Sequence, residues 1–298
     1  MSTASSVTIP KLQSTRNPLV DLIVRIFRDK PLGAAGGTIF VAFLLCGIFA
    51  NVLAPYGAND TNVLNRLAAP SLEYPMGTDY VGRDVLSRVL IGGQLSMIVG
   101  FAAAALATVV SVILGVLSGY FKGWVDLVIQ RMVDAWMTFP GLVLLIVVIS
   151  VTGPGLPQIV VILGLQYGIA GSRIVRGAVI SVREHMYVHA ARSIGAGTAH
   201  TLIRHVLPNI MPVVIVLFTT RVGAVILAEA GLSFLGLGVP PPQPTWGGML
   251  AGSGRAYMYV GPWLALAPGL CLTVVVFSVN IFGDALRDLL DPRMRGLR

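Results

Sequence analysis

His185 and His189 lie four residues apart, so a helix would set both imidazoles on one face. Zinc metalloproteases present two histidine ligands at that spacing, but they carry Glu directly after the first. Met186 stands at that position here, and His200 and His205 add no obvious third ligand. The pattern therefore argues against a metal site and for histidines beside an arginine-rich interfacial segment. Arg221 and Glu229 fall inside a long apolar run, as do Arg131 and Asp134 in an earlier one. Ionisable groups in such runs face a bundle interior or a water-filled path, which marks Arg221, Glu229 and Asp134 as candidates for a translocation path. Glu229 has a second reading, as a group near the outer surface that reaches water. Eight residues of helix rise about 12 Å, so Arg221 and Glu229 are not a simple helical ion pair. Asp284 and Asp288 flank Arg287 and read as a solvated helix end. The sequence has no GxxxxGK[ST] phosphate loop, no nucleophile elbow and no carboxylate dyad. No catalytic residue and no cofactor is assigned to this chain.

Those residues sit in an unusually apolar protein. Hydrophobic residues make up 55% of the 298, and charged residues only 11%. A soluble domain carries about a quarter charged residues. The mean hydropathy is +0.81, so lipid is the expected solvent and the bilayer the first partner. The net charge of +8 is assigned to loops at the cytoplasmic face. Nucleic acid is excluded as a partner because no basic patch stands apart from the apolar runs. Cys46 and Cys271 both lie inside apolar runs and read as small buried side chains.

The spacing predicts six spans. Residues 1–35 form a leader, with an amphipathic helix over 18–30 opened by Asn17-Pro18 and carrying Leu19, Leu22, Ile23, Ile26 and Phe27 on one stripe. The first span covers 36–56, and a polar loop over 57–92 follows. Further spans are expected over 94–119, 127–151, from 159 to 173 or a little beyond, 212–235 and 263–283, and a charged tail closes the chain from 289. With the N-terminus cytoplasmic, inside segments hold Lys11, Arg25, Arg28, Lys30, Lys122, Arg173, Arg176, Arg183, Arg192, Arg204, Arg287 and Arg293. The outside segments hold only Arg66, Arg83, Arg88 and Arg255. That bias puts both termini and the segment between spans four and five inside.

That segment, residues 187–209, is polar and basic, with small residues at Ala190, Ala191, Gly195, Ala196 and Gly197. Gly195 and Gly197 are expected to supply a sharp turn between two short helices, and Leu207-Pro208-Asn209 to stop the second. Such a surface admits close approach of another chain and reads as a docking element.

The same residues carry a family resemblance. Ala190, Ala191, Gly195, His205, Leu207 and Pro208 match the cytoplasmic coupling motif of ABC importer permeases. Met76-Gly77-Thr78-Asp79 with Gly82 to Arg88, Leu232 to Gly238 with Pro241-Pro242 and Trp246-Gly247, and a C-terminal set from Pro262-Trp263 to Asp291-Pro292 match further blocks. The chain resembles the second permease of the peptide/nickel class from about residue 25 onward. The resemblance implies an all-α integral membrane fold of the type I ABC importer, with a 93–288 permease domain. It implies a second homologous permease, two ATPase subunits that carry ATP and Mg, and an external solute-binding protein. ATPase coupling would fall on Tyr187, His189, Ala190, Ala191, Gly195, Ala196, Gly197, His205, Leu207 and Pro208. The implied cargo is di- or oligopeptides, with nickel chelates or glutathione as alternatives. His189 departs from the pattern, which often has Glu there. An ion-coupled secondary transporter is the competing class; it would need paired intramembrane carboxylates, and only Glu229 and Asp134 are available.

Overall fold

The computed structural model describes residues 18–290. The leader before Pro18, including the Asn17 cap, and the tail beyond Leu290, including Asp291-Pro292, lie outside the described residues. Within them the chain is helical, with one isolated bridge between Thr78 and Asp84 as the sole extended pairing. The short helix α1 (Pro18–Asp29) leads into α2 (Pro31–Ile48) and the single turn α3 (Ala50–Leu53). Pro31 opens α2 five residues before the expected Gly36, because proline suits the first turn, where its missing N–H is no loss.

Beyond a folded loop comes α4 (Val85–Phe121), 37 residues long. It starts within the expected 57–92 loop. Asp84 accepts hydrogen bonds from Ser87 N (2.7 Å) and Ser87 Oγ (2.6 Å), and so caps the helix nine residues upstream of Gln94. The loop itself is built around Asp79. Its carboxylate accepts from Val81 N (2.9 Å), Arg83 N (3.0 Å) and Arg83 Nε (2.6 Å). The Trp263 indole donates to Thr78 O at 3.1 Å and ties the loop to the last span.

The third span is not the continuous helix expected over 127–151. It divides into α5 (Gly123–Thr138) and α6 (Gly141–Thr152), bent 87° apart. Pro140 has no N–H to continue the ladder and holds Phe139 extended (φ −81°, ψ 135°). Next come α7 (Leu156–Arg183), α8 (Met186–Ser193), the single turn α9 (Thr198–Thr201) and α10 (Leu207–Phe234). Two short turns, α11 (Trp246–Met249) and α12 (Arg255–Tyr257), precede α13 (Trp263–Leu290). Five helices among the described residues are long and apolar enough to cross a membrane, or six if α5 and α6 count as one span.

Glycine decides the tightest helix contact. Gly115 and Gly119 on α4 face Val175 and Val179 on α7, while Gly164 and Gly168 on α7 face Leu106 and Val110 on α4. A Cβ added at Gly115 would stand 2.6 Å from Val175 Cβ and 2.8 Å from the Ser172 carbonyl oxygen. Each helix thus seats its branched side chains in the other's glycine notches. This is how spans associate in lipid, which gives apolar side chains no reason to cluster. Ser111 Oγ donates to Gly168 O at 2.8 Å across the seam. Gly33 faces Ala285 and Gly36 faces Ser278, so α2 and α13 run antiparallel, whereas the seam contacts run α4 and α7 in the same direction. Lys30 meets Asp288 at 2.5 Å between the start of α2 and the end of α13, and Lys122 meets Glu184 at 2.6 Å between the end of α4 and the end of α7.

Candidate coupling element and intramembrane polar groups

The stretch from 186 to 206 turns out of the bundle between α7 and α10. His185 precedes α8 in extended conformation, and the helix ends at Ile194. Gly195 then takes φ +89°, the left-handed region that costs glycine nothing. Gly197 does not share that role: its φ is −66°. Leu207-Pro208-Asn209 is not a stop either. After α9, a wide turn over Leu202–Val206 leads straight into α10, with Pro208 in its first turn. The second short helix is therefore the lower end of a 37-residue run from Thr198 to Phe234.

The faces of this element are unequal. Val188 (0% exposed) and Ala191 (7%) pack inward on the chain's own bundle. Ala191 is thus not part of an outward surface. Tyr187, His189, Ala190, Gly195, Gly197 and Pro208 are exposed, and Ala196, His205 and Leu207 half-buried. Met186 (87%), Ile194 (86%) and Ile203 (66%) add apolar surface that the sequence reading did not single out. They show no helical stripe in the sequence, because the Gly195 turn separates them.

Among the described residues no three His, Cys, Asp or Glu side chains come together as a metal-ligand group. Three of the histidines join Tyr187 in an aromatic run across the turn: His185 stacks on Tyr187 at 5.5 Å, Tyr187 meets His205 at 6.2 Å, and His205 meets His200 at 6.0 Å. His189 instead approaches Glu184 (3.9 Å), whose carboxylate is bound by Lys122 Nζ at 2.6 Å. That hydrogen bond holds the Glu184 carboxyl below the usual carboxylate range. Tyr120, at the end of α4, receives the Arg192 guanidinium over its ring at 4.8 Å, while its carbonyl accepts from Arg183 Nη1 at 2.6 Å. These contacts anchor the base of the element to α4 and α7.

The three candidate intramembrane groups lie in three separate places. Asp134 on α5 pairs with Arg173 of α7 and, more loosely, with Arg131. Glu229 is fully buried, so the reading in which it reaches water is removed. Its oxygens accept from Ser233 Oγ at 2.7 Å and Ser96 Oγ at 3.3 Å. Ser96 in turn accepts from Trp246 N at 3.3 Å, and the Trp246 indole donates to Val89 O at 3.0 Å. One carboxyl thereby joins α4, α10 and α11. Ser96 could not be matched to Glu229 from the sequence, being 133 residues away. Arg221 lies at mid-length of α10, half-buried, with its guanidinium over the Tyr167 ring at 5.3 Å.

Long apolar helices packed through glycine seams, with polar groups turned inward and a helical element turned out at one end, define a multi-span α-helical membrane protein. Residues 111–296 match the family described as binding-protein-dependent transport system inner membrane component, and residues 19–70 match the N-terminal transmembrane domain of oligopeptide transport permease C. The chain belongs to that family of inner-membrane permease subunits of ABC importers, in its peptide class. It is similar to the dipeptide transport system permease protein DppC of Alkalihalophilus pseudofirmus, at 38% identity over 90% of this chain and 88% of the relative. The glutathione transport system permease protein GsiD of Escherichia coli O157:H7 is also 38% identical, over 91% of this chain and 90% of the relative. GsiD of Pectobacterium atrosepticum is 36% identical over 98% and 97% of the two chains. Inward-facing MetNI, a methionine ABC transporter, shares the fold with a TM-score of 0.55 at 18% identity, covering 68% of this chain and 96% of that one. The family selects the ATP-driven reading over the ion-coupled one.

Proposed function

We propose that the chain is one of two permease subunits that together enclose a path for di- or oligopeptides. Two separate ATPase subunits carry the ATP and Mg and do the hydrolysis, and this chain contributes no catalytic group. The observation that carries the cargo reading is the 38% identity to a dipeptide permease along nearly the whole of both chains. In this reading an ATPase subunit docks on the outward face of 186–206, where Tyr187, Ala190, Ile194 and Ile203 are exposed beside His189 and Gly195. His205, Leu207 and Pro208 support that face from the start of α10, with Ala196 and Gly197 in the turn between. Ala191 contributes from behind, by seating α8. α1 and the end of α13 lie on the ATPase side. The folded loop before α4 and the segment with α11 and α12 receive an external solute-binding protein.

The test is reconstitution of the chain with its partner permease, ATPases and binding protein in liposomes. Import of a labelled dipeptide that requires ATP and the binding protein is the expected result. Import that proceeds without nucleotide would refute the reading. Glutathione is the second cargo to assay, because GsiD is as similar as the dipeptide permease.

A further inference from the structure

Two arginines of α7 are matched with acids of α5. Arg173 meets Asp134, and Arg176 meets Asp126 through two hydrogen bonds of 2.6 Å. Arg221 stands at the middle of α10, inside a helix apolar enough to cross a membrane, where a charge is costly. Among the described residues no carboxylate pairs with it, and its buried Nε has no hydrogen-bond partner. Glu229 cannot serve. It lies about 12 Å further along the same helix, and Ser96 and Ser233 occupy its oxygens. What Arg221 does have is a platform. The Tyr167 ring lies beneath the guanidinium, and the Tyr167 hydroxyl donates to Ala224 O at 3.4 Å, fixing the ring against α10.

With Nε buried, the Nη edge of the half-buried guanidinium is the part left to meet a planar carboxylate. Dipeptides and glutathione, the solutes named for the relatives, both bear a free carboxylate. We propose that Arg221, backed by Tyr167, receives the C-terminal carboxylate of the cargo as it crosses; this rests on the peptide-cargo reading above. A single cation without a second donor suits a passing contact, since a transport site must release what it binds.

The test uses the complete importer in liposomes, with labelled alanyl-alanine and its C-terminal amide as probes. The binding protein is a separate chain, so its own preference cancels when the acid-to-amide import ratio of a variant is divided by that of the wild type. Arg221→Met is expected to lower this double ratio roughly 10- to 100-fold, the worth of a hydrogen-bonded charge contact. Arg221→Lys, which retains the charge but neither the planar fork nor the stacking face, should fall between Arg221→Met and the wild type. An unchanged double ratio in Arg221→Met would overturn the proposal. Failure of Arg221→Met to assemble with the partner permease would also overturn it, by making a carboxylate of that chain the counter-ion. If the wild type imports neither probe, the peptide-cargo reading itself falls.

Discussion

Replacing Gly115 with valine tests whether the α4–α7 seam holds the bundle together. The new Cβ would stand 2.6 Å from Val175 Cβ and 2.8 Å from the Ser172 carbonyl oxygen. The carbonyl belongs to helix backbone and cannot step aside, so the helices must separate. Overpacking of this kind costs about 1–3 kcal/mol. Separation also stretches the 2.8 Å bond from Ser111 Oγ to Gly168 O, worth about 0.6–1.7 kcal/mol between spans. The expected loss is roughly 2–5 kcal/mol in all. Gly177→Val is the matched control: it lies on the same helix pair, yet an added Cβ there meets nothing within 4 Å. That variant should stay within about 0.5 kcal/mol of the wild type, because glycine and valine differ little in helix propensity. Thermal unfolding in lipid nanodiscs reads both. Equal unfolding temperatures for the two variants would refute the seam as a determinant of stability.

Three other perturbations probe the remaining features. Glu229→Leu should destabilise the chain by about 1–3 kcal/mol, by stranding the Ser96 and Ser233 hydroxyls, whereas Glu229→Gln should recover most of that; unfolding of both in nanodiscs checks it. Ala190→Trp should weaken ATPase binding in a pull-down while leaving the fold intact, whereas Ala191→Trp, at a position 7% exposed, should lower the unfolding temperature of the isolated chain. The Glu184 carboxyl titrates below its unfolded value because of Lys122. Its contribution is therefore present at neutral pH and disappears as pH falls through the depressed value. Glu184→Gln should flatten the acid side of a profile of unfolding temperature against pH.

Hydropathy made the number of apolar segments and the position of the outturned element readable, because both follow from composition along the chain. The bend at Pro140 was equally written in the sequence, as a proline just past the middle of an apolar run. Apolarity alone masked it. Helix lengths were less legible: α4 and α7 continue past the apolar windows through the Asp84 cap and the hydrogen bond from Arg183 to the Tyr120 carbonyl. The outward and inward faces of α8 are set by which neighbour covers Val188 and Ala191, and that is a tertiary fact. The glycine seam illustrates the same limit. Gly115–Gly119 and Gly164–Gly168 each have the spacing of a close helix crossing, but only packing shows that the two notches face one another. The partners of Glu229 and Arg221 come from other helices, so the sequence could flag the charges without saying what surrounds them.

The run from Thr198 to Phe234 has a mechanical consequence. At 37 residues it is a beam about 55 Å long, well beyond the ~30 Å of hydrocarbon it must cross. One tip lies beside the Gly195 turn, and the other reaches the Glu229 and Ser233 cluster. A tilt of about 10° would displace one tip relative to the other by roughly 10 Å over that length. Arg221 lies 23 residues from one tip and 13 from the other. A force applied at the lower tip would swing the far end through the widest arc, while Arg221, nearer the middle, would move much less.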